Sequence, residues 1–158
     1  MKKSSINIEI IEKEFSELSA EEMELVNAAR EIAVSAYAPY SHFRVGAAVR
    51  LKSGRIVTGS NQENAAYPSG LCAERTTLFY TGANYPDDSV EALVVTAMRQ
   101  DDLYAAVAAP CGACRQVLLE TADRQGHSFP VYLAGPDSVK IVGDCRQLLP
   151  INFDASSL

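Results

Sequence analysis

The sequence is short of basic residues, of histidine and of long apolar runs, and each shortage removes a class of function. Lys and Arg total 14 against 20 Asp and Glu, a formal net charge of −6. A general nucleic-acid or anionic-membrane binder needs a basic face to displace counterions, so neither is expected as a partner. No charge-free stretch exceeds a dozen residues, well short of the roughly 18 that a membrane-spanning helix requires. The only histidines are His42 and His127, which supports neither a histidine-rich metal site nor a Ser-His triad. Both read as ordinary surface or packing residues. The N-terminal run from Ile6 to Ile11 carries Glu9 and lacks a small-residue cleavage site, which makes it a poor secretory signal.

What remains is an ordinary globular chain. Its 158 residues fit one domain, and 47% hydrophobic residues supply a core that needs no disulfide staples. The expected division is an N-terminal extension, 1–18, and a single domain, 19–158. Four cysteines without an export signal point to reduced thiols in the cytoplasm, and so to metal or catalytic use rather than bridges.

Within the extension, Ile6, Ile8 and Ile10 alternate with polar residues at the period of a half-buried strand. Ser19-Ala20-Glu21-Glu22 forms a capping box, behind which Leu25, Ala29, Ile32 and Ala36 share a helical face with Val26 and Ala33. That helix stops before Pro39. Val45, Ala47, Val49 and Leu51 alternate up to the turn Lys52-Ser53-Gly54-Arg55, and Ile56-Val57-Thr58 completes a hairpin. The spacing predicts a helix from about Leu71 to Tyr80 with Gly82 as C-cap, then a buried strand from Ala92 to Met98. A further helix is predicted over Pro110 to Ala122, with proline at its start. Short strands at Val131-Tyr132-Leu133 and Val139 to Val142 follow. This order predicts an α/β fold, a three-layer α/β/α domain around a mixed, roughly five-stranded sheet.

Two motifs carry chemistry. Cys72-Ala73-Glu74 and Pro110-Cys111-Gly112-Ala113-Cys114 each fall at a predicted helix start, and their first cysteines are 39 positions apart. Cys111 and Cys114, three apart on a helical turn, can point the same way. With Cys72 they make three thiolate ligands for zinc, which leaves a fourth corner open as a catalytic site requires. Three thiolates around a zinc dication carry a net charge of −1, which opposes activation of water. Two helix N-termini, each worth roughly half a positive charge, lower that penalty and favour thiolate over thiol. Arg75, beside Glu74, is placed to add a full positive charge through hydrogen bonds to a cysteine sulfur. Glu74, two residues from a ligand, is placed to move protons between the attacking water and a leaving amine.

These motifs, with Tyr37-Ala38-Pro39-Tyr40-Ser41-His42-Phe43-Arg44-Val45-Gly46-Ala47-Ala48, Asn61-Gln62-Glu63-Asn64-Ala65-Ala66-Tyr67-Pro68 and Leu148-Leu149-Pro150-Ile151-Asn152-Phe153, resemble the small zinc-dependent cytidine deaminases that act on free nucleosides. The resemblance runs from about Ser19 to Phe153. It implies Cys72, Cys111 and Cys114 as zinc ligands, about one ion per chain, and Glu74 as proton shuttle. It also implies that Asn61 and Glu63 bond the ribose hydroxyls, that Phe43 packs on the base, and that Tyr67 and Ala73 belong to the substrate site. Phe153 matches an aromatic given to a neighbouring subunit, because relatives with cysteine as first ligand are typically homotetramers. The implied reaction hydrolyses cytidine or 2′-deoxycytidine to the uridine analogue and ammonia, as in pyrimidine salvage. The chain departs from the family in its ending, Asp154-Ala155-Ser156-Ser157-Leu158, and in the extension, which matches no motif.

Other readings stay open at this point. Cys145 could close a structural four-cysteine zinc site with no open corner. Arg115 and Gln116 could simply anchor their helix. A deaminase of a nucleoside antibiotic such as blasticidin S shares the metal motifs. Polynucleotide deaminases typically present histidine before x-Glu and need a basic groove, which the acidic composition lacks.

Overall fold

In the computed structural model, which describes residues 1–99, 101, 103–105 and 107–158, one mixed sheet lies between helices on both faces. Its strands are β1 (Ile11–Glu14), β2 (Arg44–Leu51), β3 (Ile56–Ser60), β4 (Val90–Met98), β5 (Val131–Ala134) and β6 (Ser138–Val142). The helices are α1 (Ala20–Ala33), α2 (Ala73–Asn84) and α3 (Gly112–Gln125). The spatial order is β1-β6-β5-β4-β2-β3. The β4–β5 pair is parallel and the other pairs are antiparallel. A parallel pair cannot be joined by a tight turn; α3 makes the crossover.

Alternation along the strands divides the core in two. On one face α1 buries Leu25, Val26 and Ala29 against Ala48, Val94 and Val139. On the other, Leu78 of α2 and Leu118 of α3 cover Val49, Leu93, Val95 and Leu133. The three-layer α/β/α expectation therefore holds, with six strands among the described residues rather than about five. The added strand is β1, the edge of the sheet, paired so that Ile11 faces Ile141 and Glu14 faces Ser138.

Several boundaries differ from those expected, each for a tertiary reason. Ile6, Ile8 and Ile10 precede the strand and are exposed. The pairing starts later, where Ser138 Oγ donates to Glu12 and Lys13 Nζ reaches Glu22 at 3.1 Å. Helix α2 starts two residues after Leu71 and runs through Gly82, ending at the cap Tyr85. Gly82 lies inside the helix, and a Cβ there would meet only the mobile end of the Arg124 side chain of α3, 2.6 Å from Nη2. Pro110 stands just ahead of α3, whose N-cap is Cys111. The capping box forms as written: Glu22 N–H donates to Ser19 Oγ at 3.1 Å, and Ser19 N–H to Glu22 Oε2 at 2.8 Å.

Gly46 marks the tightest contact between layers. A Cβ built there would lie 2.0 Å from the Ala29 carbonyl oxygen and 2.8 Å from Ala33 N, both backbone atoms of α1. The helix must shift as a body to admit a methyl group. Gly46→Ala is expected to cost about 3 kcal/mol, the upper end for overpacking. Urea denaturation checks it, and a loss below about 0.5 kcal/mol would mean that α1 moves freely over the sheet.

Candidate active site

The sequence of each cysteine motif places its first residue where a helix begins. Cys72 is the N-cap of α2 and Cys111 that of α3, both in extended backbone with neither side chain engaged in capping. Cys114 follows in the first turn of α3 and is buried. The first free N–H groups of both helices thus face the same region, and their partial positive charge favours anionic sulfur.

The three sulfurs converge. Cys72 and Cys111 are 3.7 Å apart, Cys111 and Cys114 3.5 Å, and all three ligand atoms lie within 4.8 Å of one another. Thiolates at about 2.3 Å from a tetrahedral ion sit about 3.8 Å from each other, so this donor set fits zinc in type, number and spacing. Among the described residues no fourth His, Cys, Asp or Glu joins the group. Cys145 is buried elsewhere, its Sγ 3.4 Å from Ser128 Oγ and 3.7 Å from the Leu118 carbonyl. The closed four-cysteine arrangement is therefore not formed.

The protons of this cluster are unevenly shared. Hydrogen bonding with the Cys114 thiol, helped by Arg75 and Cys111 against the cost of burial, lowers Cys72 to about 5. The same contact and burial push Cys114 up. Arg75 Nη2 lies 3.7 Å from Cys72 Sγ, in the place expected for the balancing charge. Arg75→Gln keeps the helix and removes that charge, and zinc retention or turnover is expected to fall about 10–100-fold. Chelator competition and an activity assay read this directly; parent-like values in both would remove Arg75 from the site.

Glu74 is 4% exposed, in the first turn of α2 beside Cys72. Burial holds its carboxyl above the ordinary range, assisted by the Cys72 charge and opposed by its own N–H. A buried acid that keeps its proton more readily than a surface glutamate is suited to proton transfer.

Cys72, Cys111 and Glu74 open onto a cavity of about 860 Å³, inside the range of small-molecule sites. Phe43, Asn61, Glu63 and Tyr67 line it. Asn61 is braced by backbone: its Oδ1 accepts from Val45 N–H at 2.7 Å and its Nδ2 donates to the Phe43 carbonyl at 2.9 Å. Each of those atoms keeps a second hydrogen-bonding capacity for a ligand. Glu63 Oε2 accepts from Tyr40 N–H at 2.9 Å, and its Oε1 accepts from the Ser41 hydroxyl. Those bonds, the Ser41 hydroxyl first, hold it below the ordinary carboxylate range. Tyr67 stands edge-on to Tyr40, ring centres 6.3 Å apart.

Other expected residues lie outside the cavity. Ala73 is fully buried in the first turn of α2 and is not among the lining residues. Phe153 is 60% exposed and does not line the cavity of its own chain; Gln116 Nε2 donates to its carbonyl at 2.9 Å. Arg115 ties Pro110 to Leu148 through their carbonyls, an anchoring role. His127 pairs with Glu91 at the surface, and His42 is exposed at a positive φ of 55°. The sequence reading missed Tyr40 and Ser41 as the brace of Glu63, and Val107, Ala108 and Ala109 as a cavity wall. Only the first pair left a signal, by lying in a stretch already singled out.

Residues 19–126 match the family described as the cytidine and deoxycytidylate deaminase zinc-binding region. The chain is similar to a cytidine deaminase of Halalkalibacterium halodurans, 42% identical over 134 residues, which are 85% of this chain and 95% of the relative. One from Sporosarcina psychrophila is 40% identical over 139 residues, 85% of this chain and 92% of the relative. The crystal structure of cytidine deaminase from Burkholderia pseudomallei superposes with a TM-score of 0.70 at 36% identity, covering 83% of this chain and 98% of that one. By sequence, fold and sulfur cluster alike, this chain belongs to the family of zinc-binding cytidine and deoxycytidylate deaminases.

Proposed function

We infer that the protein catalyses the zinc-dependent hydrolysis of cytidine and 2′-deoxycytidine to uridine and 2′-deoxyuridine, with release of ammonia. The observation that carries this reading is three convergent sulfurs with a buried carboxyl beside them, opening onto a nucleoside-sized cavity. Cys72, Cys111 and Cys114 would hold about one zinc ion per chain, which supplies a Lewis acid that makes water nucleophilic near neutral pH.

The chain's own residues account for binding and proton traffic. Asn61 and Glu63 accept and donate at the sugar, and Phe43 stacks on the base. Water adds across the C4=N3 bond of the ring, its oxygen to C4 and one proton through Glu74 to N3. Glu74 then carries the remaining hydroxyl proton to the 4-amino nitrogen. The C4–N bond breaks, ammonia leaves, and C4=O is formed. Arg75 is the one cationic side chain among the described lining residues, and it is engaged with Cys72. No charge is left over for a phosphate, which favours nucleosides over nucleotides.

The exposure of Phe153, with its carbonyl held by Gln116, supports a homotetramer in which this ring completes a neighbour's site. Residues 19–158 form the domain that carries the chemistry. We place the protein in the cytoplasm, where its four free thiols stay reduced. Among the described residues no helix is long and apolar enough to cross a membrane.

Metal analysis together with an ultraviolet assay tests the reading. Cytidine and 2′-deoxycytidine are expected to be consumed, RNA and the nucleotides to be left, and zinc to be found at about one per chain. Faster turnover of blasticidin S than of cytidine would move the substrate assignment. A chain without zinc, or inert to every nucleoside, would end it.

A further inference from the structure

On the face of the sheet opposite the sulfur cluster, Arg30 of α1 lies where separate stretches of chain meet. Its guanidinium carbon is 4.5 Å from the Phe15 ring centre and 4.1 Å from that of Tyr104, a planar cation between two rings. Its Nη2 donates to the carbonyls of Gly135 and Pro136 at 2.7 and 2.8 Å, which ties the β5–β6 turn into the same point. Nε is buried without a hydrogen-bond partner among the described residues, so the rings and the Nη2 bonds set the orientation. A lysine could not make this arrangement, since it lacks the flat fork that stacks and bonds at once.

The two rings come from segments with different roles. Phe15 opens the short turn after β1, in the N-terminal segment that precedes the family-matched residues. Tyr104 sits in the connection from β4 to α3. There the chain doubles back on the end of β4: Tyr104 bridges to Met98, and Ala105 N–H donates to the Ala97 carbonyl at 2.8 Å. Beyond this point Val107, Ala108 and Ala109 form a wall of the cavity and lead directly into Cys111.

We propose that Arg30 is a positioning residue for the substrate cavity: gripped between Phe15 and Tyr104, it sets the path of the β4–α3 connection and so the cavity wall at residues 107–109. The N-terminal segment acts as the outer jaw of this clamp. Loss of either ring loosens the wall without touching the sulfurs or Glu74, and therefore weakens uniform binding rather than the chemical step. The kinetic half of this inference rests on the deaminase reading; the structural half does not.

Phe15→Ala, Tyr104→Ala and Tyr104→Phe test it, assayed with cytidine and by amide hydrogen exchange. Both alanine variants are expected to raise KM on the order of tenfold, with kcat and zinc content within about twofold of the parent. Tyr104→Phe keeps the ring and is expected to match the parent. Exchange at residues 103–105 and 107–109 is expected to quicken in Phe15→Ala, although that substitution lies far away in sequence, while β2 and β5 stay protected. A lower Tm with unchanged KM would make the sandwich a merely structural contact and overturn the proposal. Unchanged exchange in Phe15→Ala would overturn it too, and that measurement decides the clamp even if the parent fails to turn over cytidine, which counts against the functional reading instead.

Discussion

Glu74→Gln protein is expected to bind zinc as the parent does and to deaminate cytidine about 10²–10⁴-fold more slowly. The substitution keeps volume and hydrogen-bonding reach, so the first turn of α2 and the ring of sulfurs around it need not move. What it removes is a group that can take up a proton and give it back. Both proton deliveries in the proposed sequence pass through this carboxyl, and they occur only on the way to products. The loss therefore falls on kcat and kcat/KM alike, with KM little changed. Glu74→Asp adds a geometric control. It retains the acid but draws it back by one methylene, and misplacement of about 1 Å costs up to 10²-fold. An order of parent, Asp, Gln supports proton transfer by this residue. A Gln variant as fast as the parent would assign the protons to another group.

The motifs at the helix starts are local, and that is why they were legible. Cys72 and Cys111 each precede a helix by one residue, so their places at helix starts could be read locally, while the packing of α2 and α3 on one face of the sheet brings the two starts together. Ser19 and Glu22 satisfy each other's backbone across three residues, so their box could be read with no knowledge of the sheet. Where partners come from far away, local patterns misled. Gly82 looks like a helix stop, yet α2 runs through it to Asn84, beside the Arg124 guanidinium of α3. The alternation of Ile6, Ile8 and Ile10 promised a strand, yet the pairing was decided by what β6 and α1 offered to Glu12 and Lys13. Glu63 is braced by a loop more than twenty positions earlier, and Arg30 by rings on either side of it in sequence. No periodicity announces contacts of that kind.

Cys114 and Cys145 are both fully buried cysteines on the same side of the sheet, and their substitution is expected to have opposite consequences. Cys114→Ser replaces a soft ligand by a hydroxyl that stays protonated at neutral pH. Zinc affinity is expected to fall by more than about 100-fold, since loss of a direct ligand exceeds the usual loss of its supporting contacts. Activity falls with it, and so does Tm, because an ion that binds only the folded chain stabilises it in proportion to occupancy and affinity. Cys145→Ala removes one buried sulfur that touches Ser128 and the Leu118 carbonyl. Its cost is that of a small cavity, about 1 kcal/mol, with zinc content and kcat unchanged. Metal analysis on both variants, at matched folding by circular dichroism, separates the two roles. If Cys145→Ala also emptied the site, the fourth corner would be sulfur after all, and no position would remain where water could meet the ring.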